Sequence, residues 1–76
     1  MQHLTECTPE ATYAERLAAA RLQLSNTEAR AALCRRNADH AEHHGMIART
    51  AEWRNMADAA RRRTDFWRNV IAGMES

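Results

Sequence analysis

Seventy-six residues allow one domain at most, and chains this short usually need a staple or a partner subunit to complete a core. Eleven basic residues against ten acidic ones leave a net charge of +1, too little for the self-repulsion of a disordered polyelectrolyte. Only nine residues are Leu, Ile, Val or Phe but sixteen are Ala, the best helix former, so the composition predicts an alanine-rich helical chain with a thin core.

Residues 1–8 read as a loose tail. Met1 to Glu6 lack the basic-then-apolar order of a signal peptide. The longest unbroken apolar run, Leu17-Ala18-Ala19-Ala20, is too short for a membrane span. A cytoplasmic location is the default expectation, with Cys7 and Cys34 reduced. About 40 Å of continuous helix would separate those two thiols, so no bridge between them is expected.

Thr8-Pro9-Glu10 marks a helix start: a capping hydroxyl, a proline at the first helical position and an acid in the first turn. Neither Gly nor Pro recurs before Gly45, and the first helix is expected over residues 9–44. Ser25-Asn26-Thr27-Glu28 spells a capping box that could start a new helix. The apolar phase nevertheless runs through it without a skip, which predicts continuity. Gly45 is the expected turn, because glycine suits the left-handed position after a helix end. A second helix is expected over residues 46–74.

Both helices carry a seam with alternating steps of three and four, the spacing that holds side chains on one side of a helix. The first seam runs Tyr13, Leu17, Ala20, Leu24, Thr27, Ala31, Cys34, Ala38, Ala41. The second runs Met46, Thr50, Trp53, Ala57, Ala60, Thr64, Trp67, Ile71, Met74. Folding the chain at Gly45 sets Ala38 and Ala41 against Trp53, Ala31 and Cys34 against Ala57 and Ala60, and Ala20 and Leu24 against Trp67. Bulk then meets small residues at both indole layers, as interdigitated packing requires. The fold class predicted is all-α: a long, coiled-coil-like antiparallel two-helix hairpin.

Several apolar residues remain outside the seams. On the first helix Ala18, Leu22, Ala29 and Leu33 form a stripe nearly opposite the seam. On the second, Met56, Ala59, Phe66 and Val70 form one about 105° round from it. A lone hairpin cannot bury these stripes, and left bare they are a sticky patch. The prediction is a homodimer, a four-helix bundle built on them, or a docking face for a larger protein, or both. Leu22, Leu33, Met56, Phe66 and Val70 are the candidate contact residues, with the edge of Trp67.

The charged residues offer weaker leads. All eleven basic residues are Arg, in keeping with the codon usage of a GC-rich bacterium or its phage. Arg54, Arg61 and Arg68 recur every seven residues and could face phosphates. Otherwise they are a solvated flank pairing with acids of the first helix, Glu28 being expected near Arg61. No helix-turn-helix spacing is visible, so nucleic acid is the lesser reading. His40 and His44 stand one turn apart and could present two imidazoles to a metal, but a third ligand would have to come from Asp39, His3 or a second chain. The bland reading, a polar helix end, is preferred, and no cofactor is expected. No phosphate-cradling loop or nucleophile–base pair stands out, and Cys34 in the seam should be inert. The expectation is a non-enzymatic protein-binding module, an adaptor, regulator or inhibitor of a larger assembly. Phage and mobile-element proteins of this size offer an analogy. The alternative is a nucleic-acid-associated regulator using the Arg stripe.

Overall fold

The computed structural model describes the backbone of residues 9–76 and the side chains of residues 12–76. The expected tail over residues 1–8, with His3, Cys7 and the Thr8 cap, lies outside the described residues. Two helices account for nearly all the rest: α1, Pro9–His43, and α2, Ile47–Glu75. Each boundary falls within a residue of the sequence expectation. α1 passes through Ser25–Glu28 unbroken, and the Thr27 hydroxyl there donates to the Leu24 carbonyl at 3.0 Å. A break would have cost the burial of everything beyond it.

The reversal at Gly45 has a definite hydrogen-bond pattern. The Met46 N–H donates to the Ala41 carbonyl at 2.9 Å and the Gly45 N–H to the Glu42 carbonyl at 3.0 Å. These are the two bonds of a Schellman motif, and they satisfy carbonyls that the helix end would otherwise orphan. Gly45 sits at φ +71°, the left-handed region where a side chain is strained. α2 then begins without a side-chain cap.

The two seams face each other. Ala20, Ala31, Cys34, Ala38, Ala41, Ala57 and Ala60 are buried, with Thr27, Thr50 and Thr64. Every one belongs to a predicted seam, and none is larger than Thr or Cys. Trp53, Trp67, Leu17, Leu24, Ile71 and Met74 are half-buried. Small residues bring the backbones together in the middle, and the bulkier ones roof the edges. The Thr50 and Thr64 hydroxyls donate to the Met46 and Ala60 carbonyls at 2.8 and 2.9 Å. Each buried hydroxyl is thus satisfied within its own helix, and the seam needs no polar partner across it. Cys34 is a buried free thiol. At the open end the Tyr13 hydroxyl donates to the Met74 carbonyl.

Such a hairpin has little interior. Its radius of gyration is 17.7 Å, against about 11 Å for a compact chain of this length. No helix among the described residues is long and apolar enough to cross a membrane.

One sequence expectation is corrected. Glu28 pairs with Arg68 at 3.1 Å, not with Arg61. Glu28 and Arg68 each lie just after a seam residue on their own helix. The helices run in opposite directions, so the two offsets add instead of cancelling. Side chains on this edge therefore meet more than a turn farther along α2 than seam matching suggests.

Candidate protein-interaction surface

The hairpin has two long edges, each made of one row of residues from either helix at intervals of seven. On the first edge the rows lie just after the seam positions. Three ion pairs cross the gap there: Arg21 with Glu75, Glu28 with Arg68, and Glu42 with Arg54. Each step of seven up α1 is matched by a step of seven down α2. One rung of this ladder is irregular. Arg35 and Arg61 fall where a fourth pair belongs, and both line the groove that opens there. Arg61 has Asp58 at 3.7 Å on its own helix, and Arg68 has Asp65 at 3.6 Å.

On the second edge the rows lie just before the seam positions. The same register sets Arg16 against Val70, Gln23 against Arg63, Arg30 against Met56 and Asn37 against Arg49. Three of these rungs are seen directly as pairs lining a shared groove. Every arginine on this edge faces an uncharged side chain. None of the four has a carboxylate within ion-pair distance among the described residues. The open groove is widest near the chain ends, about 750 Å³, where Trp67, Val70 and Met74 form its apolar wall.

The predicted contact residues divide between two faces. Leu22 and Leu33, 60% and 48% exposed, lie on the outer side of α1. Met56 and Phe66, 40% and 57% exposed, lie on α2 along the second edge with half-buried Val70. Phe66 meets Trp67 edge-on with ring centroids 5.1 Å apart. The stripes are therefore present as exposed apolar rows, but they do not merge into one patch.

The Arg54, Arg61 and Arg68 stripe is placed on the first edge, where each guanidinium has at least one carboxylate within 4 Å. Sequence reading had the right period and missed its counterpart: Arg49 and Arg63 on α2, and Arg16 and Arg30 on α1, recur at multiples of seven as well. It also passed over Ile47, 84% exposed beside the turn. Ile47 is off the seam and off the apolar stripe; it falls one heptad before Arg54 in the charged row of the first edge, so no apolar period marks it.

The His40 and His44 ring centroids lie 4.4 Å apart with the planes tilted by 58°, and His43 meets His44 edge-on. No group of three or more ligating side chains comes together among the described residues.

Compared with protein-family models, curated proteins and solved structures, the chain matches none. Whatever it does must be read from its own side chains.

Proposed function

We propose that the chain is a non-enzymatic protein-binding module, an adaptor, regulator or inhibitor of a larger protein. The observation that carries this reading is an inversion of size. The fully buried positions hold only Ala, Cys and Thr, while Leu22, Leu33, Met56 and Phe66 are 40–60% exposed. Large apolar side chains are the expensive ones to leave in water and the ones that dominate interfaces. A chain that spends its small residues on its own core keeps its large ones for something else.

The two exposed stripes suit different uses. From Ala18 to Leu33 the outer stripe of α1 holds no charge, so two copies can meet there without repulsion, giving a four-helix homodimer. The α2 stripe with Met56 and Phe66 is left for the larger partner. The nucleic-acid alternative has less support, because the guanidinium groups of Arg54, Arg61 and Arg68 are already engaged with carboxylates.

Two substitutions test the reading. Leu33→Asp should convert a sedimenting dimer to monomer while circular dichroism stays helical. Phe66→Asp, used as bait beside the wild type, should lose a protein that the wild type retains at both low and moderate salt. A wild-type bait that retains only nucleic acid, released steeply as salt rises, would overturn it.

A further inference from the structure

We infer that the second edge of the hairpin is a seat for a single α-helix from another protein, with an apolar stripe flanked by Asp and Glu. This rests on the protein-binding reading and specifies the chemistry of the partner. The shape fits first. Grooves lined from both helices follow one another along this edge, from Asn37 and Arg49 near the turn, past Arg30 and Met56, to Arg16 and Val70. A straight channel between two antiparallel helices is what a third helix fills in a bundle. One wall is largely apolar: Met56 and Ala59 line one groove and Val70 another, with exposed Phe66 beside them on α2.

Charge then selects the occupant. Arg16, Arg30, Arg49 and Arg63 border the channel, each facing an uncharged residue across it. Among the described residues the single acid beside this row on α2 is Glu52. Glu15 stands on the outer side of α1, about 100° round the helix from Arg16, and the acids Glu28, Asp39, Glu42, Asp58, Asp65 and Glu75 all belong to the other edge or border it. A second copy of this chain would bring four more arginines against these four, which disfavours self-association here. Nucleic acid would satisfy the guanidinium groups but leave Met56, Phe66 and Val70 without apolar partners. An acidic amphipathic helix satisfies both sets, and Arg pairs with carboxylates in a fork geometry that fixes orientation.

Two synthetic helices of about 28 residues, four heptads each, are the probes. Both carry Leu at the a and d positions; one has Glu at e and g, the other Lys. Trp53 and Trp67 line the channel, so binding is read from their fluorescence. At low salt the Glu helix should bind at least about tenfold more tightly than the Lys helix. Arg30→Glu with Arg63→Glu should abolish or reverse that preference, and the milder Arg30→Gln with Arg63→Gln should reduce it. Arg35→Glu on the opposite edge should leave it unchanged. Failure of the Glu helix to bind, equal binding of the two helices, or a preference untouched at positions 30 and 63 would overturn the inference. So would displacement of the Glu helix by an equimolar oligothymidylate, which would assign the edge to nucleic acid. A self-dimer that the Glu helix cannot enter would assign it to a second copy. If the peptides fail while Phe66→Asp still strips a captured protein, the broader reading stands and only the acidic-helix inference falls. If both fail, neither stands.

Discussion

The two edges of this hairpin are built to one register and charged to opposite ends. On the first, three of four rungs are an Arg with a Glu, and those three Glu with the bordering Asp39, Asp58 and Asp65 offset its five Arg. On the second, four arginines face Val70, Gln23, Met56 and Asn37. The pairs on the first edge are about half exposed, so each contributes roughly 0–1 kcal/mol. Their value lies more in orientation than in energy. They reward one antiparallel register and penalise a slipped one, as charges flanking a coiled-coil seam do. The second edge offers no such reward. Its arginines form no ion pair across the hairpin among the described residues. One edge therefore carries the ion pairs that favour this register, and the other carries none among the described residues.

That contrast holds only while the backbones stay close in the middle, and the largest effect is expected from prying them apart. Ala60 is 2% exposed, and Ala60→Leu should destabilise by about 1–3 kcal/mol through overpacking. In a chain this small that lowers the melting temperature by several degrees per kcal/mol. Thermal unfolding followed by circular dichroism checks it; an unchanged midpoint would mean that the seam is not the close contact described. Gly45→Ala should cost about 1–2 kcal/mol. Its added Cβ would meet nothing within 4 Å, so the cost is conformational and not a clash. Gly45→Asn, which tolerates the left-handed region better, should recover part of it. If Ala and Asn behave alike, the turn is not held in that region.

Most of this fold is legible in the sequence because seam residues are chosen by one strong rule. A position such as Ala31 or Ala60 is small, buried and in phase, and steps of three and four expose it. Gly45 is equally plain, since few other residues suit its φ. The exposed stripes could be found by subtraction: Leu22, Leu33, Met56 and Phe66 are apolar and off the seam. Partners along an edge are harder. Glu28 could be placed on the correct side but not opposite the correct Arg, because long side chains meet by adding offsets from two helices. The second edge was missed for a related reason. Arg16, Arg30, Arg49 and Arg63 look like ordinary solvated arginines one at a time. They form a row without acids only once the antiparallel register has shown what each one faces.

The smallest effect is the sharpest test of the comparison, because its size differs between the edges. Arg35 and Arg61 occupy the rung where the first edge should have a pair. Arg35→Glu would place a carboxylate opposite Arg61 and near Arg54, which lines the same groove. Asp39, one turn away on α1, opposes the change as a like charge. Arg61 directly across and Arg54 one heptad beyond it outweigh Asp39 and Asp58, the two acids that line the same groove, so a net gain of about 0.5 kcal/mol is expected. This corresponds to a rise of roughly 2–4 °C in melting temperature. Arg35→Gln, which removes the repulsion without supplying a pair, should fall between the two. High salt should shrink all three differences together. On the second edge, Arg30→Glu faces Met56, and its nearest cation across the groove is Arg63, one heptad farther along α2, so a smaller gain should follow. A stabilisation of equal size at both positions would mean that shedding positive charge anywhere helps, and that the ladder has no register of its own. A larger stabilisation at position 35 would show that the first edge is one substitution short of complete, and that Arg35 is kept at a cost to the fold.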